Sequence, residues 1–203
     1  MFKGTEKRTA RDVAESLDSV GGQLNAFTAK EMTCYYARVM DEHLPLAIEV
    51  LSDMLFHSKF DSAAMDKERG VIKEEISMYE DTPDELIHDL FLATAWPENP
   101  LGKPILGTAK SLDQIDRDMV VNYIRRQYVP DRIVIAAAGN LEHDEVVNMV
   151  APYFEGMKVQ KQPPMAPAPE GISGSTKHLK KETGQIQVCL GLVLYSFNLL
   201  PAI

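Results

Sequence analysis

The sequence predicts a protein in which helices alternate with short strands. A capping pattern at Thr9 begins one helix, and a second helix occupies residues 61–80. Between them, residues 23–40 are rich in Thr, Tyr, Phe and Val and alternate in parts, which predicts a hairpin that turns near residues 29–31. Residues 133–139, IVIAAAG, form an apolar run that is typical of a covered strand.

Caps and prolines place the remaining helices. Thr82 introduces a helix with Pro83 at its first position, and either Ser111 or Asp116 begins a later one. The predicted helices, in chain order, cover residues 9–19, 41–56, 61–80 and 83–95, a stretch that starts at 111 or 116 and ends at 128, and residues 142–154.

Proline content sets the predicted domain boundaries. Residues 155–182 contain four prolines with scattered Gly and Ser, which indicates a linker after a first domain at 1–154. The final segment, 183–203, begins with a second strand-like run, QIQVCLGL. It is uncharged from residue 185 onward, about the length of a membrane span. Its Gln, Ser, Asn and Pro residues argue against an anchor, and we expect no membrane partner.

Composition narrows the class of protein. The chain has 203 residues, 45% of them hydrophobic and 25% charged, as in a soluble globular protein. Its net charge of -9 argues against a nucleic-acid partner, which would require a basic face. Cys34 and Cys189 fit no metal or disulfide spacing, and the N-terminus has no signal-peptide core. We therefore expect a cytoplasmic, reducing environment.

One pair of carboxylates is a candidate site. Glu68 and Glu75 are seven residues apart, so on a helix both side chains leave the same face. Val71 and Ile72 share that face, which predicts that the acids border a partly buried surface. From spacing alone, two readings are open: a solvated acidic stripe paired with nearby Lys and Arg, or acids that bind a cation or another partner.

Four blocks of this sequence resemble the pitrilysin and insulinase family of inverted zincins, most closely its bacterial and mitochondrial processing-peptidase branch. They are, in order, FKGTEKRTARDVAESLDSVGGQLNAFTAKEMTCYYARV, ERGVIKEEISMYEDTPDE, LGKPILGT and YVPDRIVIAAAGN. The resemblance implies an α/β (α+β) domain, a twisted mixed sheet covered by helices, followed by the start of a second, similar domain. It also implies that the chain is truncated at both ends.

The resemblance assigns metal-site residues. The family holds zinc with H-x-x-E-H on one helix and a Glu on a later helix. By the match, Glu75 is that third metal ligand, with Glu74 as the neighbouring alternative, and Glu68 is a nearby supporting acid. The H-x-x-E-H motif would lie just before residue 1 and is absent here, and no His has a second His four residues later: His43, His57, His88, His143 and His178. We therefore expect no catalytic residue and no bound zinc in this chain.

The resemblance also implies how peptides would bind. Asn25 and Ala26 match the edge strand along which the family lays its substrate, so they are candidate substrate-binding residues; for Asn25 alone, a plain strand-end polar residue is the alternative. The implied partners are unfolded or extended peptides, with a further subunit of the same or another kind.

The sequence is compatible with three functions. The first is a zinc metalloendopeptidase that processes peptides or presequences, inactive in this truncated form. The second is a non-catalytic peptide-binding or structural partner subunit, and the third is a globular domain without a site. By resemblance, the truncation at the N-terminus removes a strand of the sheet and the helix that carries H-x-x-E-H. Each buried large apolar side chain lost with them costs roughly 1.5–3 kcal/mol. We therefore expect the truncated chain to be marginally stable or dependent on a partner.

Overall fold

The computed structural model describes residues 1–158, 167–169, 171–172, 174–181 and 184–192. The chain forms two compact units: Met1–Arg69 with Asp113–Pro163, and Gly70–Leu112 with Pro164–Ile203. The predicted linker and the final segment fall partly outside the described residues, and the domain boundaries at 154 and 182 stay predictions.

Helices provide most of the described structure. In chain order the elements are α1 (Ala10–Asp18), β1 (Gln23–Thr28), β2 (Thr33–Arg38), α2 (Leu44–His57), α3 (Ser62–Glu80), α4 (Pro83–Ala95), α5 (Ala109–Gln114), α6 (Arg117–Gln127) and α7 (His143–Phe154). Short 3-10 turns occupy Asp41–His43, Pro100–Gly102 and Pro130–Arg132. Among the residues described, no helix is both long and apolar enough to cross a membrane.

The predicted helix starts are largely confirmed. Thr9 and Asp12 form a reciprocal capping box at α1, and Asp61 Oδ1 accepts the Ala64 amide at 2.9 Å at the start of α3. Of the two starts left open for the helix that reaches residue 128, Asp116 is confirmed, because it accepts the Met119 amide at 2.7 Å and caps α6, while α5 is a separate short helix. Thr82 is the N-cap residue of α4 and Pro83 its first residue, as predicted, but the Thr82 hydroxyl makes no capping bond and donates to Met78 O at 2.8 Å instead.

The hairpin is confirmed and lies on the core of the first unit. β1 and β2 pair antiparallel with Asn25 opposite Tyr36 and Ala26 opposite Tyr35. The buried core joins two residues of α1 with three of α2, namely Val13, Leu17, Ala47, Val50 and Met54. Leu24 of β1 packs against this core, so one face of the hairpin is covered and the other is left to solvent.

The strand expected at 133–139 is wrong in the described structure. Within the described residues the one sheet is the β1–β2 pair, and residues 133–138 belong to no ladder. Val134 is 92% exposed, so the apolar run is not covered. Residues 186–190 are likewise unpaired, with Ile186 91% exposed. An apolar run indicates that a segment favours burial, but it contains no information about the neighbouring strand that a ladder needs. The mixture of helix and sheet is confirmed, while the twisted mixed sheet is represented here by one antiparallel pair.

Candidate edge-strand and carboxylate sites

Within the part of the chain that the structure describes, no strand pairs with the outer edge of β1, so this edge can accept an additional strand. Ala29 donates its N–H to Met32 O at 2.7 Å, which continues the register of the hairpin by one pair. Because hydrogen-bonded and non-hydrogen-bonded pairs alternate in an antiparallel ladder, the odd-numbered residues of β1 bond to β2. The N–H and C=O groups of Leu24, Ala26 and Thr28 therefore face away from β2, as the edge-strand prediction requires.

Asn25 and Ala26 lie together on this edge. Asn25 is exposed, and its Oδ1 accepts the Ala26 N–H at 2.8 Å. This bond agrees with the alternation of the ladder, because an Ala26 N–H that donated to β2 would not be available to donate to Asn25. The substrate-binding role of both residues stays a prediction, and the bond from the Ala26 N–H to Asn25 was not predicted from the sequence.

The solvent face beside the edge is aromatic. Phe27 is half exposed, and its ring centroid is 6.3 Å from that of Tyr36 on β2. The Arg38 guanidinium carbon lies 5.8 Å from the Tyr36 centroid, over the ring. A peptide on this edge would lie next to β1 and could place a side chain against Phe27.

Glu68 lies beside the N-terminal segment. Its Oε2 is 2.8 Å from Lys3 Nζ, with the two side chains 41% and 53% exposed. Both side chains are about half exposed, so the pair contributes about 0–1 kcal/mol to stability. The opposing cation is Lys3, 65 residues earlier in the sequence, rather than a Lys or Arg on the same helix.

Glu75 and its alternative Glu74 are both exposed on the second half of α3. Ile76 beside them is buried, but Val71 is 56% exposed. The expectation of a partly buried face thus holds at Glu68 and fails at Glu75, because the neighbouring apolar side chains do not all meet a packed surface. Since both acids are exposed, the choice between them as ligand stays a prediction.

A buried polar cluster behind the N-terminal segment was not predicted. Thr5 Oγ1 donates to Asp53 Oδ2 at 2.6 Å, and Arg8 Nη1 donates to the same oxygen at 2.7 Å. Arg8 also bonds Glu49 through both of its terminal nitrogens. Asp53 lies in α2 with its side chain 2% exposed. The sequence does contain an indication of this cluster. Asp53 lies between the core residues Val50 and Met54, and a buried Asp needs a hydrogen-bonding or charged partner.

The cluster keeps Asp53 ionised. Burial alone would raise the pKa of this carboxyl, but the hydrogen bonds from Thr5 and Arg8, together with the positive charge of Arg8, outweigh it and hold the pKa below its usual value. Bridges between Gly4 and Thr9 and between Thr5 and Ser58 add backbone bonds around it. Residues 4–9 are therefore fixed to α2, which in turn positions Lys3 beside Glu68.

The residues described do not by themselves form a zinc site. Glu75 is the single predicted ligand, and no group of three His, Cys, Asp or Glu side chains in that part of the chain could hold a metal. His88 is exposed on α4 and is a surface residue. Trp96 is a packing residue, and its Nε1 donates to Gly171 O at 3.3 Å. The donor set of the described residues therefore does not fit zinc.

Comparison with known proteins gives the family. Residues 1–109 match the model described as Insulinase (Peptidase family M16), and residues 114–201 match the Peptidase M16 inactive domain. The first match alone covers more than half of the chain. The chain therefore belongs to the insulinase family, peptidase family M16, a family of zinc metallopeptidases, as the four sequence blocks predicted.

Curated relatives are similar over nearly the whole chain. An uncharacterized zinc protease of Streptomyces coelicolor is 44% identical, covering 95% of this chain and 43% of the relative. The uncharacterized zinc protease YmxG of Bacillus subtilis is 45% identical, covering 94% and 46%. A probable mitochondrial-processing peptidase subunit beta of Arabidopsis thaliana is 44% identical, covering 76% and 29%. The chain spans less than half the length of each of them.

Solved structures confirm the fold. A protease from Helicobacter pylori superimposes with a TM-score of 0.74 at 19% identity, covering 84% of this chain and 41% of that one. A peptidase M16 inactive domain from Pseudomonas fluorescens gives 0.70 at 15% identity, covering 79% and 40%. At these identities the likeness establishes the α/β fold class alone.

Proposed function

We propose that this chain is the peptide-recognising portion of a zinc metalloendopeptidase of the processing type, and that in its 203-residue form it binds extended peptides without hydrolysing them. The observation that supports this most directly is the outer edge of β1. There, alternate residues direct N–H and C=O groups away from β2, which is the arrangement that strand addition uses. Main-chain bonds to such an edge tolerate many sequences, and the ring of Phe27 supplies a side-chain contact.

The absence of hydrolysis in the proposal follows from the donor set of this sequence. A catalytic zinc site needs three protein ligands and an open position for water. The proposed ligand Glu75 supplies one of them, and the two His and the general base of the family motif are not in the sequence. The role that this chain can perform alone is therefore to hold and orient a peptide. The two free thiols agree with a reducing compartment such as the cytoplasm.

A second candidate is a non-catalytic partner subunit. The observation that favours it is the naming of one relative as a subunit of a processing peptidase, over 76% of this chain. Such a subunit would use the same β1 edge to hold peptides for an active partner. Co-purification with a chain that contains H-x-x-E-H, followed by restored hydrolysis, would favour this role over that of an isolated peptidase fragment.

Ala26→Pro tests the edge. We expect this change to weaken binding of a short fluorescein-labelled, unstructured peptide at least about tenfold, since it removes one outward donor and places a ring where the incoming strand would lie. The fold should persist, because the Ala26 N–H is not part of the ladder with β2. Fluorescence anisotropy measures the affinity, and circular dichroism measures the fold. Ala26→Ser keeps the N–H and should bind as the wild type does; equal affinity of Ala26→Pro would exclude the edge as the binding site.

The metal content gives an independent test. We expect the purified chain, dialysed against zinc and then buffer, to contain far less than one zinc per chain and to leave an unstructured peptide intact. Mass spectrometry of the peptide and atomic absorption of the protein measure the two quantities. One zinc per chain that is lost in Glu75→Gln would contradict the expectation and would reveal ligands that the sequence pattern missed.

A further inference from the structure

We propose that the Asn25 side chain guards the open edge of β1, by occupying the Ala26 N–H until the carbonyl of an incoming peptide displaces it. This inference rests on the proposed function and concerns the regulation of that same edge. An exposed strand edge otherwise pairs with any extended chain, including a second copy of itself. Asn25 Oδ1 already accepts the Ala26 N–H, which is the middle one of the three outward donors. An incoming strand must therefore displace the Asn25 side chain before it can pair there.

Two independent observations locate the guard. The ladder alternation directs the Ala26 N–H away from β2, and Asn25 Oδ1 accepts that same N–H at 2.8 Å. Asn25 itself is exposed and lies opposite Tyr36, so its amide can rotate away without a steric cost to the core. The Ala26 C=O projects from the same edge, and it remains available as an initial contact for a peptide N–H.

The exchange of partners explains how a guard can coexist with binding. A bound peptide replaces one amide-type acceptor by another, so the bond to the Ala26 N–H is conserved while Asn25 is released to solvent. Binding therefore gains nothing at this donor in the wild type. Without the guard, the same peptide would gain a new bond there, worth about a 2- to 10-fold increase in affinity.

Asn25→Ala distinguishes a guard from a peptide contact. We expect this variant to bind the labelled peptide about 2- to 10-fold more tightly than the wild type, since the donor is free beforehand. Gln23→Ala removes the neighbouring exposed amide of the same strand face, and its affinity should not change. In the Ala26→Pro background, where position 26 has no N–H for Asn25 to occupy, Asn25→Ala should have no effect on affinity, so the two changes are coupled. Weaker or unchanged binding by Asn25→Ala in the wild-type background would overturn the guard.

Amide exchange tests the guard without any peptide. In the free protein, the Ala26 amide should exchange more slowly than the Leu24 amide, and Asn25→Ala should abolish this difference after correction for intrinsic rates. Unchanged protection at Ala26 would overturn the guard even if peptides bind to the edge. Conversely, loss of protection with no peptide binding by any variant would retain the guard and refute the proposed function, so the two failures are distinguishable.

Discussion

Asp53→Ala is expected to destabilise the first unit by about 3 kcal/mol or more. The change removes two hydrogen bonds to a charged acceptor, each worth about 1.5–3 kcal/mol, and leaves Thr5 and part of the Arg8 guanidinium without their buried partner. For a chain of this length, that loss lowers Tm by roughly 6–12 °C. Thermal unfolding followed by circular dichroism measures it. Because residues 4–9 lose their attachment to α2, the Lys3–Glu68 contact should be lost as well.

One control and the pH dependence sharpen this prediction. Glu6→Ala, which removes an exposed acid of the same segment, should change stability by less than about 0.5 kcal/mol. The folded pKa of Asp53 is held below its usual value, so its contribution is complete above about pH 4 and is lost as the pH falls through the folded pKa. The wild type and Asp53→Ala should therefore converge in stability in strong acid. A constant difference at every pH would show that Asp53 acts through packing alone.

Gly102→Ala is expected to disrupt the second unit, at a cost of about 3 kcal/mol or more. A Cβ at this position would lie 2.1 Å from the Trp96 carbonyl oxygen and 3.1 Å from that of Leu92. Both obstacles are backbone atoms at the end of α4, so no side-chain rotation relieves the overlap. Loss of the near-ultraviolet signal of Trp96, the one tryptophan in the chain, would report the disruption.

Gly70→Ala is the matched control. Gly70 lies within α3, where an added Cβ meets nothing within 4 Å. Alanine there should stabilise the helix by about 0.5–1 kcal/mol, since glycine loses more backbone entropy on folding. If the two glycine variants were equally stable, the close approach at Gly102 would be refuted.

Local features of this fold were predictable because their causes are local in sequence. The Thr9 capping box, the Asp61 cap and the hairpin each depend on residues within a few positions of one another. The structure also gives physical roles to residues in two of the four sequence blocks that carry the family resemblance. Thr5 and Arg8 of the first block bond to α2, and Gly102 of the third block is the glycine that the Trp96 carbonyl requires.

Long-range features were not predictable from the same patterns. The Thr5–Asp53 bond joins residues 48 positions apart, and only the fold brings them together. Strand pairing is equally non-local, which is why an apolar run at 133–139 suggested a covered strand that the described structure does not contain. The ligand choice between Glu74 and Glu75 depends on helix rotation relative to a metal, and the sequence spacing does not fix it.

The uncovered segments determine how this polypeptide behaves as a colloid. Ile186, Val188 and Leu190 are exposed apolar side chains at alternate positions, and such a segment favours self-association. The net charge of -9 opposes this association, because copies of the chain repel one another. That repulsion extends over about 30 Å at 0.01 M ionic strength but only about 3 Å at 1 M. The chain should therefore stay dispersed in dilute solution at low ionic strength. Adding salt to a concentrated solution should promote association through the exposed apolar segment.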